Sequence, residues 1–444
     1  MEQILIKAAQ LILSLSILVV LHEFGHFAFA RLFKTRVEKF YLFFDPWFSL
    51  FKIKKGETEY GVGWLPLGGY VKISGMIDES MDKEAMKLPP KPYEFRAKKA
   101  YQRLLIMLGG VMMNFLFAFI IYTGVLYAWG VQYLPTENAT YGIWVHEPGQ
   151  EIGLQNGDKI LSVDHHYIDN FRKIMPTVIL DKAKTIQVLR NGEKVDIPIT
   201  DNDLAKLIKS KGVIDPRMPF AVKVGKIIKD TPAAQSSLEK GDVFEGVDGQ
   251  NFQFYDQLIS YLKSHKEQQV TLQVERDGEA KHIPVTVSDD GTIGFYPEFL
   301  DKATDYLHFE TIRYNFWESI PAGVERGVTT ISDYLKQFKL IFSPKTKAYE
   351  SLGGFISIGN IFPGAWDWFQ FWNMTAFLSI ILAVMNLLPI PALDGGHVTF
   401  LLYEIVTGRK PGDKFLEYAQ IGGMIILLTL VLYANANDII KLFH

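Results

Sequence analysis

Four stretches of the chain are apolar for long enough to cross a bilayer as helices, which takes about 20 residues each. They run approximately from Ile4 to Ala30, Leu104 to Trp129, Phe371 to Leu388, and Ile421 to Tyr433 with its flanks. Between the second and third, the pattern changes to short alternating strands with Asn191-Gly192 and Asp277-Gly278 as turn signals, which predicts a water-exposed α/β or β-rich region. Between the first and second lies Tyr60-Gly-Val-Gly-Trp-Leu-Pro-Leu-Gly-Gly-Tyr-Val-Lys72, too short to span and too full of breakers for a helix. It reads as a β-hairpin or re-entrant loop turning near Pro66 to Gly69. Such backbone at membrane depth must be buried in protein or line a wet cavity; the alternative is an amphipathic hairpin resting on the membrane surface. Asp78 to Tyr101 is charged and proline-containing and predicts a cytoplasmic loop. Tyr314 to Ile341 has apolar residues at helical spacing, predicting one or two amphipathic helices at the outer membrane surface, as a linker or as a hinge.

Basic residues near span ends give an orientation. Arg31, Lys34, Arg36 and Lys39 follow the first span, Lys98, Lys99 and Arg103 precede the second, and Arg409, Lys410 and Lys414 separate the third from the fourth. Those loops are expected in the cytoplasm, and the large region between spans two and three outside it. The first segment is too long in its apolar part for a signal peptide, and only Lys7 precedes it as a basic residue. With 444 residues, 48% of them hydrophobic, the composition fits a mixed membrane and water-soluble architecture. A net charge of -3 gives no support for nucleic-acid binding. The chain has no cysteine, so a metal site would have to be built from histidine and carboxylate.

The first span carries His22-Glu23-Phe24-Gly25-His26. On a helix the two histidines lie about 40° apart around the axis and roughly 6 Å along it, so both imidazoles can reach one metal ion. Glu23 is then free to take a proton from an activated water. Two histidines and a glutamate at this spacing also occur by chance, but ionisable groups inside a span are costly and usually functional. Arg31 follows His26 by about 7 to 8 Å of helix rise, so the motif should lie just inside the cytoplasmic surface. The third segment ends in Met385-Asn-Leu-Leu-Pro-Ile-Pro-Ala-Leu-Asp-Gly-Gly-His397. Pro389 and Pro391 should interrupt the helix there, bringing Asp394 to the same depth as the histidines. Asp394 is thus a candidate third ligand in a site with a fourth position for water; capping the next helix is its other reading. His397 competes as third ligand, or supports the ligands. Asn386 could stabilise an oxyanion or hold the substrate backbone. In the second span Gly109 and Gly110 permit close helix approach, and Asn114 reads as helix-helix glue or as a residue that orients a ligand.

An internal repeat organises the extracytoplasmic region. Gly153-Leu-Gln-Asn-Gly-Asp-Lys-Ile-Leu-Ser-Val-Asp164 recurs as Ser237-Leu-Glu-Lys-Gly-Asp-Val-Phe-Glu-Gly-Val-Asp248, and Arg190-Asn-Gly-Glu as Arg276-Asp-Gly-Glu. The two copies resemble PDZ domains, which implies recognition of a peptide by strand addition; a steric plug limiting substrate access is the alternative. The expected organisation is a membrane region over 1–130, PDZ-like modules over 131–210 and 211–298, linker helices over 299–370, and a second membrane region over 371–444.

Taken together, these motifs resemble the site-2 protease family of intramembrane zinc metalloproteases (peptidase family M50), in the bacterial RseP-type form with tandem PDZ domains. The resemblance covers nearly the whole chain through His22 to His26, Gly61-Val62-Gly63, the two repeats, Asn386-Leu-Leu-Pro and Leu393-Asp394-Gly395. No metal-site or catalytic position departs from the family pattern. It implies a polytopic α-helical protein with four transmembrane helices, a re-entrant β-hairpin and two extracytoplasmic PDZ-like α+β domains, in a bacterial inner membrane. It further implies Zn2+ held by His22, His26 and Asp394, Glu23 as general base, and Asn386, Gly61, Val62 and Gly63 as substrate contacts. The implied reaction is cleavage of single-span membrane proteins in regulated intramembrane proteolysis, after a prior extracytoplasmic cut. Anti-sigma factors and remnant signal peptides are the substrate types. Peptides at the PDZ grooves and the lipid bilayer are further partners, and nucleic acid is not. A proteolytically inactive PDZ scaffold is the other class considered. An ion transporter is disfavoured, because paired discontinuous helices are absent from the pattern.

Overall fold

The computed structural model describes residues 2–76, 89–210, 212–300, 306–341, 343 and 353–442. The part of the expected loop before Pro89 and parts of the 299–370 segment lie outside the described residues. The chain forms two compact units, residues 1–130 with 313–335 and 352–444, and residues 131–312 with 336–351.

The first unit contains α1 (Glu2–Leu32), β1 (Val37–Lys55), β2 (Thr58–Ile73), α2 (Ala100–Trp129), α3 (Phe316–Ile341) as far as Leu335, α4 (Trp368–Leu387), α5 (Asp394–Thr407) and α6 (Asp413–Leu442). Among the described residues, α1, α2, α4 and residues Lys414–Lys441 of α6 are long and apolar enough to cross a membrane, matching the four apolar segments. α1 and α2 meet backbone to backbone: a Cβ at Gly25 would lie 2.1 Å from the Gly109 carbonyl oxygen. Small residues allow this approach where apolar lipid gives helices little hydrophobic reason to associate. α2 packs on α4 through Ala118, Ile121 and Val125 against Ala376, Ile380 and Val384, and Ser379 Oγ donates to the Asn114 carbonyl oxygen at 2.8 Å.

α4 stops at Leu387, and residues 388–393 form an irregular link to α5. The two prolines predict this interruption. Part of the link's backbone is bonded locally, with Leu388 N–H donating to Met385 O, Leu393 N–H to Ile390 O and, from the start of α5, Gly396 N–H to Leu393 O at 3.0 to 3.1 Å. Ala392 takes a φ of 98°, the kind of strained backbone that surrounding structure must hold in place. Gly395 and Gly396 let the link fold back on α5. A Cβ on Gly395 would lie 2.2 Å from Leu388 O, and one on Gly396 2.6 Å from Pro391 Cα.

One expectation is corrected in this unit and another is sharpened. The expected hairpin turning near Pro66 to Gly69 is not formed: those residues lie inside β2, and its two arms are not paired with each other but belong to a larger sheet. Residues 37–44 pair antiparallel with 65–73 and, on their other side, run parallel to 59–62; residues 58–63 pair antiparallel with 49–55. The lateral order is therefore 49–55, 58–63, 37–44, 65–73, which makes the last strand an edge. The second point concerns α3, expected as one or two amphipathic helices: it is a single helix, and it packs on α2. Phe316 meets Tyr127 with ring centroids 6.0 Å apart, Gly323 lies over Thr123 and Gly327 over Phe119. The helix thus runs antiparallel along the C-terminal half of α2, seated by a Gly-x-x-x-Gly face. Arg326 is held there by Asn373 Oδ1 at 2.8 Å and by the Tyr122 ring, 4.8 Å away.

In the second unit the sequence repeat becomes a structural one. Strands Lys159–Val163, Thr185–Arg190 and Glu193–Pro198 form an antiparallel sheet, as do Val243–Val247, Gln269–Arg276 and Glu279–Thr286. The repeated Gly-Asp places a buried carboxylate under the repeated arginine. Asp158 accepts from Arg190 Nε and Nη2 at 2.8 and 2.7 Å, and Asp242 from the same atoms of Arg276 at 2.6 Å. The second repeated aspartate accepts a backbone N–H in each copy, Asp164 from Thr185 and Asp248 from Thr271. Each copy has its own apolar core, one around Ile174, Ile186 and Val188, the other around Val224, Leu258 and Leu272. Strand Ile214–Pro216 pairs back onto Ile143–Val145, so the first copy closes a few residues beyond the expected boundary at 210.

Candidate metal centre

His22 and His26 occupy successive turns of α1, and Asp394 opens α5 directly after the proline-interrupted link. Although far apart in sequence, the three converge. His22 Nε2 and His26 Nε2 are 3.3 Å apart, and Asp394 Oδ2 lies 3.1 Å from the first and 3.3 Å from the second. A tetrahedral shell with bonds of about 2.0 to 2.1 Å spaces its ligand atoms by roughly 3.3 to 3.4 Å. The donor set is one that zinc takes, both histidines are buried, and Asp394 Oδ2 is buried without a hydrogen-bond donor. The three atoms therefore fit a single ion with one position left over.

The surroundings explain how the imidazoles are aimed. His26 Nδ1 lies 2.9 Å from the Ile106 carbonyl oxygen. His22 Nδ1 lies 3.2 Å from the Asn114 side chain. Gly110, between these two positions on α2, lies under both rings: a Cβ there would stand 2.5 Å from His26 Nε2 and 2.6 Å from His22 Cε1. Asn386, in the last turn of α4, brings Nδ2 to 3.4 Å from His22 Nε2.

The cluster opens into a cavity of about 670 Å³ lined by Glu23, Asp45, Tyr70, Met107 and His397 among others. His397 faces this cavity but is outside the converging three. Glu23 and Val71, the latter on the edge strand, both line this cavity. Residues 65–73 pair with 37–44 on one side only, so the strand bearing Val71 leaves its other side open among the described residues. Gly69 presses this strand onto α1, because a Cβ there would lie 2.7 Å from Val19 Cγ1 and 3.5 Å from Glu23 Cγ.

Gly61, Val62 and Gly63 do not line this cavity. Their strand is interior, with both sides paired, and Gly61 is packed under the Tyr41 ring and Gly63 against the Phe44 backbone. The open edge beside Glu23 belongs to residues 69–73. Sequence reasoning also missed the Ile106 carbonyl and that strand's place in the site. The spacing Ile106, Gly110, Asn114 puts the three on one stripe of α2, a signal visible only once His22 and His26 are known to be opposite.

The family model for Peptidase family M50 matches residues 10–430. The chain is similar to the Regulator of sigma-E protease RseP of Salmonella typhimurium, 27% identical over 467 residues that cover 100% of both chains. It is similar to the Regulator of sigma E protease of Haemophilus influenzae, 25% identical over 459 residues covering 97% of this chain and 98% of the relative. A Neisseria meningitidis relative carrying a zinc-metalloprotease name is 28% identical over 460 residues, with the same coverage.

Proposed function

This chain belongs to peptidase family M50, as a zinc metalloendopeptidase of the site-2 protease, RseP-type group, and from that premise we propose that it cleaves transmembrane segments of single-span proteins after a prior extracytoplasmic cut. It is a multi-pass membrane protein. The observation that carries the reading is the convergence of His22, His26 and Asp394 beside Glu23, in a cavity bordered by an open strand edge.

His22, His26 and Asp394 hold the zinc in this reading. Bound there, zinc supplies acidification of a water and polarisation of the scissile carbonyl. Glu23 takes the proton of the attacking water on its carboxylate and returns it to the leaving amine. The open edge of residues 69–73 pairs with an unwound stretch of substrate by strand addition. That pairing matters because a helical substrate keeps its amides in intrahelical hydrogen bonds. Asn386 Nδ2 is the donor available to the developing oxyanion.

The two repeats are PDZ-like modules in this reading, on the extracytoplasmic side of a bacterial inner membrane, and they exclude the uncut substrate. The duplicated carboxylate-arginine clamps and separate cores support two copies of one module. Anti-sigma-factor or remnant-signal-peptide substrates are those the family resemblance implies; two relatives are named as regulators of sigma E. A scaffold without catalysis would need neither the convergent donors nor Glu23. The test is reconstitution with a single-span model substrate bearing, or lacking, a folded extracytoplasmic domain. Cleavage of the shortened form alone is expected; equal cleavage of both would remove the requirement for a prior cut, and cleavage of neither would remove the substrate class.

A further inference from the structure

The two histidines reach the cluster with the same ring atom but are steadied by different kinds of group. His26 Nδ1 faces a backbone carbonyl, Ile106 O at 2.9 Å. A carbonyl only accepts, so His26 carries its proton on Nδ1 and turns the Nε2 lone pair toward His22 and Asp394. His22 also turns Nε2 toward the cluster, 3.1 Å from Asp394 Oδ2. Its proton must then sit on Nδ1, where it needs an acceptor. The side chain at that position is Asn114, fully buried, on the face of α2 that carries Ile106 and Gly110.

As assigned, the Asn114 amide turns Nδ2 toward His22 Nδ1 at 3.2 Å and leaves Oδ1 buried without a partner. That orientation puts a donor where the ligand tautomer also requires a donor. The oxygen and nitrogen of an amide occupy almost the same shape, and their assignment follows from the hydrogen-bond network. We propose that Asn114 is a positioning residue whose Oδ1 accepts the Nδ1 proton of His22, fixing its tautomer and ring plane as a zinc ligand. The proposal rests on the reading of His22, His26 and Asp394 as ligands.

The Asn114 backbone is itself held, because its carbonyl oxygen accepts from Ser379 Oγ on α4. α4 therefore fixes the residue that aims His22, and the same helix leads through its broken end to Asp394. Ile106 and Asn114 lie two turns apart on one stripe of α2, one giving His26 a main-chain acceptor and the other giving His22 a side-chain acceptor. The main-chain acceptor is indifferent to substitution; the side-chain one is open to test.

The full-length protein in detergent is used, with zinc affinity read by competition against a chelator. Asn114→Leu keeps the size and removes the acceptor. Its zinc affinity is expected to fall about 10- to 100-fold, the loss typical of removing a group that orients a metal-bound histidine. Asn114→Asp keeps acceptor oxygens and has no donor; it is expected to hold zinc within about threefold of the unaltered protein or more tightly, since a carboxylate behind the imidazole raises its basicity. An Asp variant as weak as the Leu variant overturns the proposal, because packing or amide donation would then be what matters. A Leu variant that binds zinc normally overturns it as well. Nitrogen-15 spectra of the histidine rings give an independent reading that needs no substitution: a proton on His22 Nδ1 supports the assignment and a bare Nδ1 refutes it. His22→Ala separates the two layers of inference. If it binds zinc as well as the unaltered protein, the ligand reading itself fails; if it loses zinc while Asn114→Leu does not, only the role of Asn114 fails.

Discussion

Gly110→Ala adds one methyl group and should disable the metal centre. The new Cβ would stand 2.5 Å from His26 Nε2, 2.6 Å from His22 Cε1 and 2.8 Å from His22 Nδ1, where ordinary contact begins at 3.4 Å. Clearing it requires about 1 Å of movement by both rings or by α2. Neither can move freely. α2 is locked to α1 at Gly25 and Gly109, and the His26 ring is tied to Ile106. Metal-ligand distances tolerate roughly 0.2 Å, so zinc affinity should fall at least about tenfold, with a misplacement of this size costing around a hundredfold in turnover. The assay is zinc retained after dialysis against a graded chelator, followed by cleavage of a single-span substrate at saturating zinc. Gly124→Ala is the matched control: it lies on the same helix with nothing within 4 Å of an added Cβ, and it should bind zinc and cleave normally. Normal zinc affinity in Gly110→Ala would refute the reasoning, since the two rings could not then pass over Gly110 as described.

Gly69→Ala should separate substrate presentation from metal binding. Its methyl would meet Val19 Cγ1 and Tyr41 O at 2.7 Å and push the edge strand off α1, so cleavage should fall at least about tenfold by the same misplacement argument while zinc stoichiometry is unchanged. Gly323→Val should loosen α3, because a side chain there meets the Thr123 backbone at 2.6 Å; faster amide exchange over residues 316–335 is the expected readout. The Asp242 clamp predicts a pH effect. Burial alone would raise this carboxyl, but hydrogen bonds from Arg276 and from the Glu239 N–H outweigh it and hold it below the usual carboxylate range. A depressed folded-state pKa stabilises the module above the unfolded value of about 3.9. That contribution is lost as pH falls through the lower folded value. Amide protection of strands 243–247 and 269–276 in the full chain should therefore drop on acidification below about pH 4, and Asp242→Asn should flatten that dependence.

Much of the site could be read from the chain because its parts are local patterns with few alternative explanations. His22 and His26 are one helical turn apart, and the two prolines before Asp394 forced a break at matching depth. The duplicated Gly-Asp and Arg-x-Gly segments likewise proved to be one clamp built twice, because a buried carboxylate and its arginine leave a strong imprint on sequence. Lateral strand order left no such imprint. Gly61 to Gly63 and Gly69 to Val71 are equally apolar and glycine-rich, and both flank residues 37–44; only the further pairing of 58–63 with 49–55 makes the first interior and leaves the second an edge. The packing of α3 on α2 was not legible, because Glu325 and Arg326 interrupt its apolar pattern. Its Gly323 and Gly327 face, and the Asn373 and Tyr122 partners of Arg326, become meaningful only beside α2 and α4. The end of the first repeat was missed because Ile214–Pro216 is a short strand whose partner lies far upstream.

The central claim is that Glu23 moves the proton in a reaction for which His22, His26 and Asp394 hold the zinc. Glu23→Gln tests it most directly, because it keeps size and hydrogen-bonding reach while removing the basic carboxylate. Zinc content and cleavage of a single-span substrate should be measured on the same preparation, beside the unaltered protein. Zinc should be retained at about one per chain, with cleavage reduced by at least about 10²-fold. Cleavage at the unaltered rate with zinc in place would contradict the claim.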